Sequence, residues 1–164
     1  RSNSLELGFA VLAAARAAAQ GASVDEVVKA AEEMTLHTRF LFTPLTLEYL
    51  KRGGRIGNAS ALLATLLQIK PVLTVVDGVT DTLAKVRTLQ KSHDLIADTF
   101  AADIRDKGGL GDVYVHHIHD AAAGRAFADR IEGIAGRSVE IRDIGPAIGT
   151  HVGPGTVGLV YWTN

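Results

Sequence analysis

Apolar residues in this chain recur at helical spacing in some stretches and run together or alternate in others, and the breaks between them predict a sequence of elements. Leu5 to Ala19 is an alanine-rich apolar run carrying Glu6 and Arg16, which predicts an amphipathic helix packed on something. Gly21 ends it. Ser23-Val24-Asp25-Glu26 then has the form of a capping box, so a second helix is expected to about Leu36. Arg39 to Phe42 predicts a short strand, and Thr43-Pro44 predicts an N-cap and first helical position for a helix over Leu45 to Lys51, stopped by Gly53-Gly54. Asn58 is expected to cap a fourth helix through Ala59 to Leu67, apolar nearly all round and therefore buried.

The strongest local signal follows. Pro71 to Val76, Asp77-Gly78 and Val79 to Arg87 predict a β-hairpin closed by a DG turn. Thr88 is expected to cap a long helix to about Asp106, followed by a Gly108-Gly109-Leu110-Gly111 loop. The remainder alternates: strand Val113 to Ile118, helix Asp120 to Ala135, strand Ser138 to Ile144, a glycine- and proline-rich loop Gly145 to Gly155, and a last strand Thr156 to Trp162. The fold class expected is α/β, a two-layer sandwich of helices on a mostly antiparallel sheet, with a helical pair at its N-terminal end.

Composition narrows the functions open to such a fold. At 164 residues and 47% hydrophobic, the chain can bury one real core. Its formal charge of −1 supplies no basic field for a phosphate backbone, so nucleic acid is not expected as a partner. With no cysteine there is no disulfide scaffold, thiolate metal site or cysteine nucleophile, a composition that suits a reducing cytosol. The first apolar run, about fifteen residues long, is short of the ~20 needed to cross a bilayer, so stable membrane insertion is not expected. The chain opens on Arg1 with no initiator methionine, as a processed or excerpted piece would.

Three constellations can carry chemistry. In Gly53-Gly54-Arg55-Ile56-Gly57, two glycines permit a tight turn that presents the planar donor fork of Arg55, suited to a carboxylate or phosphate; a helix C-cap followed by a solvated arginine gives the same pattern. In Gly149-Thr150-His151-Val152-Gly153-Pro154-Gly155, small neighbours leave both nitrogens of His151 free to meet a ligand, or one of them to bond a local carbonyl. In His116-His117-Ile118-His119-Asp120, His117 and His119 share one side of a strand, as a zinc or non-haem iron site requires, but a third ligand at credible spacing is missing and Asp120 is explained as the next N-cap. Templates for serine hydrolases, Walker nucleotide sites, zinc proteases and dinucleotide folds find no match.

Taken together, five patches resemble the DegV family. They are Leu47-Glu48-Tyr49-Leu50-Lys51-Arg52-Gly53-Gly54-Arg55-Ile56, then Leu67-Gln68-Ile69-Lys70-Pro71-Val72-Leu73, then Asp77-Gly78, then Lys85-Val86-Arg87-Thr88, and Ile148-Gly149-Thr150-His151-Val152-Gly153-Pro154-Gly155. Leu7-Gly8-Phe9 is similar to the family's helix after the central strand of its first domain, so the resemblance covers essentially the whole chain.

The resemblance implies a cytoplasmic, non-catalytic carrier that binds a long-chain fatty acid at a domain junction and presents its carboxylate to a fatty-acid kinase, for entry into phospholipid synthesis. It implies no cofactor and no metal. Residues 1–36 would belong to or pack on an N-terminal domain, and 37–164 would form the C-terminal lipid-binding domain; the N-terminal domain and its hydroxyl groups would precede this chain. Arg55 and His151 map onto the residues implicated around the carboxylate, with Gly54, Gly153 and Gly155 supplying loop backbone. Leu62, Leu63, Leu66 and Ile69 are candidates for tunnel lining, since an alkyl tail gains ~0.8 kcal/mol for each CH₂ taken out of water; plain core packing explains any single leucine of the helix more simply. Lys85, Arg87 and Lys91 are candidates for docking the kinase from position alone; charge guarding a hairpin edge explains them equally. Two other readings stay open: a metal-dependent or acid/base enzyme using His116 to His119, and a non-catalytic interaction domain.

Overall fold

A computed structural model describes residues 3–164, apart from the side chains of residues 64–68. Six strands form one sheet in the order β3-β2-β1-β6-β4-β5, where β1 is Thr38–Thr43, β2 Lys70–Val76, β3 Val79–Val86, β4 Leu110–His117, β5 Glu140–Asp143 and β6 Val157–Thr163. Every pairing is antiparallel except β4 with β5, which a helical crossover joins in parallel. The hairpin is as the sequence predicts. Val76 pairs with Val79 across Asp77 (φ 51°) and Gly78 (φ 83°), the two left-handed residues of a type I′ turn.

Among the described residues there are six α-helices, α1 (Ser4–Ala19), α2 (Val24–His37), α3 (Glu48–Arg52), α4 (Leu89–Asp106), α5 (Ala121–Ala135) and α6 (Pro146–Val152). Five of them cover the two faces, while α2 lies on α1. On one face, Ile96, Ala97 and Phe100 of α4 and Phe127, Ala128 and Ile131 of α5 pack on Leu41, Val72, Val115, Leu159 and Tyr161. On the other, Phe9 of α1, Leu50 of α3 and Val152 of α6 join Phe40, Phe42, Leu73 and Val160. Burial on both sides explains why the central strands read as continuous apolar runs rather than alternating ones. The expected α/β class with a mostly antiparallel sheet is borne out.

Helix starts were well marked. The Ser23 hydroxyl accepts from the Glu26 amide at 3.4 Å while the Glu26 carboxylate accepts from the Ser23 amide at 2.8 Å, a closed capping box. Thr88 and Asp120 cap α4 and α5 through the amides of Lys91 and Ala123 at 3.2 and 3.0 Å.

Three local expectations are corrected. Thr43 does not cap a helix: it ends β1 and donates its hydroxyl to the Pro71 carbonyl at 2.9 Å, so α3 starts only at Glu48. The segment Gly57–Gln68 is a 3-10 helix rather than an α-helix, and the Asn58 side chain reaches Asp81 of β3 at 3.2 Å instead of capping. Within the stretch Gly145 to Gly155, expected as loop, lies α6, with Pro146 in its first turn, where a missing amide costs nothing. That last correction moves His151 from a loop onto the final turn of a helix.

Candidate functional site

Arg55 leaves α3 through a turn in which Gly53 donates to the Tyr49 carbonyl (2.9 Å), Gly54 to Lys51 (3.1 Å) and Arg55 itself to Leu50 (2.8 Å). Gly54 sits at φ 64°, the left-handed conformation that ends many helices and that a Cβ disfavours. The turn throws the Arg55 side chain outward. Its guanidinium is exposed, forms no ion pair among the described residues, and has one weak contact, donating to the Gly54 carbonyl at 3.5 Å.

His151 comes to the same spot from the far end of the chain because α3 and α6 interlock through glycines. A Cβ on Gly53 would stand 2.1 Å from His151 Nδ1, one on Gly153 2.3 Å from the Tyr49 ring, and one on Gly155 2.2 Å from Leu45. Gly153 (φ 81°) and Gly155 (φ 73°) are also left-handed, and the Gly155 amide donates to Ile118 at 2.8 Å. Sequence reasoning names Gly53 with Gly54 only as a turn glycine; its φ is an ordinary −79°, and its role is steric, which spacing does not reveal.

Arg55 and His151 line one hollow of about 230 Å³ with Asn3, Gly78 of the hairpin turn, Thr80 of β3, and an apolar wall including Phe40, Phe42, Leu50, Val75 and Ile148. No lining residue is acidic. His151 Nδ1 and Asn3 Oδ1 are buried without hydrogen-bond partners, and a flip of the Asn3 amide exchanges that acceptor for a donor. An exposed, unpaired cation beside an imidazole, opening on an apolar wall, suits an anionic group attached to an apolar body.

The tunnel-lining candidates lie elsewhere. Leu62 is buried in the core on this face, with Leu63 and Ile69 packed against it, and none of the three borders the hollow. The side chain of Leu66 falls outside the described residues. Lys85, Arg87 and Lys91 are exposed and form no ion pair among the described residues. The hollow is bounded by the turn end of the hairpin, whereas Lys85 lies five residues from Thr80 along β3, about 16 Å at ~3.3 Å per residue.

The histidine cluster separates. Strand β4 ends at His117, and His119 is exposed in the left-handed region (φ 52°), so the side-sharing of i and i+2 residues does not extend to it. Asp120 caps α5, and no group of three or more metal-ligating side chains occurs among the described residues. His117 packs against Gly124 of α5, with Nδ1 3.5 Å from Asp143. His116, only 4% exposed, faces α1 instead: Nδ1 shares a hydrogen bond with the Ser4 hydroxyl (3.1 Å), and Nε2 has no partner, so the pair has no carboxylate to complete a nucleophilic triad. Burial first, then the neighbouring His117, pushes the His116 pKa down to about 4. Beside it, a second hollow of about 480 Å³ is lined by Ser4, Leu5, Tyr114, His116 and residues 142–148, sharing Ile148 with the first.

Glu6, unremarkable in sequence as an acid in a first helical turn, is 5% exposed. Its carboxylate accepts from the Asn3 amide at 3.4 Å, and burial outweighs the backbone bonds from Asn3 and Phe40 to raise its pKa to about 7.

The DegV family model, whose description reads "Uncharacterised protein, DegV family", matches residues 1–164. A DegV domain-containing protein of Clostridium acetobutylicum is 47% identical over 164 residues, which is all of this chain and 57% of that protein. A structure titled as fatty acid binding of a DegV family protein from Thermus thermophilus superposes with a TM-score of 0.86 at 32% identity, covering 98% of this chain and 58% of the other. A Bacillus subtilis structure, titled DegV, a fatty acid binding protein, gives 0.81 at 28% identity over 98% and 57%. The chain thus spans a little over half the length of the relatives it matches. Matched along its whole length by the family model, this chain belongs to the DegV family.

Proposed function

We propose that this chain is the carboxylate-binding half of a non-catalytic carrier for a long-chain fatty acid, with Arg55 and His151 acting together on the acyl carboxylate. The observation that carries the reading is their convergence: two side chains from distant parts of the sequence line one hollow whose remaining wall is largely apolar and free of acids. A buried carboxylate needs its charge matched and its lone pairs occupied, which an arginine fork and one imidazole supply together with hydroxyls from elsewhere. The alkyl tail gains ~0.8 kcal/mol per CH₂ removed from water. Relatives of similar fold carry titles that describe fatty-acid binding, which supports the same cargo here.

The wider role follows from the same reading. The carrier presents the carboxylate to a fatty-acid kinase in the cytoplasm, feeding phospholipid synthesis, and needs no cofactor of its own. No helix among the described residues is long and apolar enough to cross a membrane. Residues 1–36 pack on or belong to a second domain, an arrangement supported by the exposed Leu7, Val11, Val24, Val28 and Leu36 of α1 and α2 and by the greater length of the relatives.

Organic extraction of the full-length protein from cells, followed by mass spectrometry, is the direct test. One long-chain fatty acid per chain is the expected result; a stoichiometric metal, or neither, overturns the reading. Arg55→Ala and His151→Ala should each weaken binding or kinase turnover by ~1.5–3 kcal/mol, the worth of one charged hydrogen bond, and together by less than the sum because they share a ligand. Wild-type behaviour of both single variants would dismiss the assignment. Reversal of Lys85 and Arg87 to glutamate, with the lipid retained, tests whether these two residues meet the kinase.

A further inference from the structure

We propose that Gly53 is a positioning residue: its lack of a side chain seats the His151 ring and fixes the tautomer that meets the carboxylate. The inference rests on the carboxylate reading above and adds how the histidine is prepared for it. Three observations carry it. First, the ring lies on the Gly53 α-carbon so closely that a Cβ would stand 2.1 Å from Nδ1, 2.9 Å from Cε1 and 3.2 Å from Cγ, distances that no rotation of an alanine methyl relieves. Second, Gly53 is not demanded by its own backbone, since φ is −79° and ψ −1°, an ordinary helical conformation open to any residue. The glycine is therefore required by what lies against it. Third, His151 Nδ1 is buried and has neither a donor nor an acceptor.

The third observation sets the chemistry. A neutral imidazole carries one proton, and a buried N–H without an acceptor is the costlier of the two unmade bonds, since a lone pair against an α-carbon hydrogen keeps a weak C–H contact. The proton accordingly sits on Nε2. In that tautomer the only N–H of the ring is free to donate to a carboxylate oxygen, while Nδ1 rests on the glycine. Because Gly53 and Arg55 belong to one turn, tied by the bonds to Tyr49 and Leu50, one piece of backbone both seats the imidazole and sets where the Arg55 side chain departs. The Tyr49 ring against Gly153 is a second close contact between the same two segments.

The test uses the full-length protein and palmitic acid as the probe. Long-range proton–nitrogen NMR at about pH 9 should show His151 as the Nε2–H tautomer in the wild type; the Nδ1–H form would overturn the proposal without touching the carboxylate reading. Gly53→Ala should lower palmitate affinity about as far as His151→Ala does, on the order of tenfold or more, and should cost nothing further in the His151→Ala background, where the clash is gone. Losses that add in the double variant, or a Gly53→Ala protein that binds as wild type with unshifted His151 resonances, overturn it. Gly136→Ala is the control for mere destabilisation: it forces a Cβ into a left-handed position (φ 66°) at the end of α5, away from the hollow, and should leave palmitate affinity unchanged. If Arg55→Ala and His151→Ala both bind normally, the carboxylate reading fails, and the NMR result still decides whether Gly53 seats the ring.

Discussion

The two faces of the sheet bury similar apolar strands but finish differently. Against α4 and α5, the core closes on itself, and its buried charge is answered: Asp103 accepts from Tyr161 at 2.6 Å and Arg39 at 2.7 Å, with Lys107 at 3.6 Å. Against α1, α3 and α6, two hollows remain, His116 and His151 keep unpartnered nitrogens, Arg55 lacks a counter-ion among the described residues, and Glu6 is buried with its pKa raised to about 7. The first face is packed tightly, with one buried nitrogen, Nδ1 of His117 against α5, left without a hydrogen bond. The second leaves polar groups unmatched where an amphipathic ligand would match them, and unmatched groups of this kind collect at functional sites.

The comparison can be broken most directly by mutation in the closed face. Phe100, fully buried edge-to-face on Tyr161, should cost ~3–5 kcal/mol when cut to alanine, read as a lower urea midpoint. Ligand contacts should play no part in that loss.

The next effect is electrostatic, and the two faces should respond to pH in opposite senses. Glu6 has a folded pKa above its unfolded value of 4.5, so its contribution is intact below about pH 4.5 and is lost as pH rises through about 7. Glu6→Gln should therefore stabilise the protein near pH 9, on the order of 2–3 kcal/mol, and flatten stability between those limits. An unchanged pH profile would show that Glu6 is not buried as described.

Asp103 runs the other way. Burial alone would raise its pKa, but hydrogen bonds from Tyr161 and Arg39 and the charges of Arg39 and Lys107 together hold it below the usual carboxylate range. Its contribution is present above the unfolded value and lost as pH falls through the folded one. Tyr161→Phe should remove ~1.5–3 kcal/mol at neutral pH and move acid unfolding to higher pH. A melt series from pH 2 to 7 checks both.

The smallest effect should come from Ile148→Ala, which enlarges hollows already present rather than opening a new cavity: about 1 kcal/mol in stability, with a larger relative change in palmitate affinity. A loss matching Phe100→Ala would mean the two faces are packed alike.

Much of this was legible beforehand where the signal is local. Ser23 with Glu26, Thr88, Asp120 and the Asp77-Gly78 turn each act over three or four residues, and each does what its chemistry predicts. Arg55 and His151 were also named from the sequence, by resemblance and by the small residues around them. Thr43 and Asn58 misled because their side chains bond across to the Pro71 carbonyl and to Asp81, partners that local reading does not see. The helix α6 escapes a local reading because glycine and proline favour loops, although proline suits a first helical turn.

By itself, then, the sequence determined the strands, the long helices, the hairpin turn and the family, because these rest on periodicity, capping and motifs written into neighbouring residues. Only the tertiary structure decided that Gly53 must be bare, that Glu6 and His116 lie buried on the open face, and that Arg55 and His151 line one hollow. The physical reason is range: a contact between α3 and α6 depends on where the sheet sets two helices down, and no spacing along the chain encodes the 2.1 Å left for a methyl group between them.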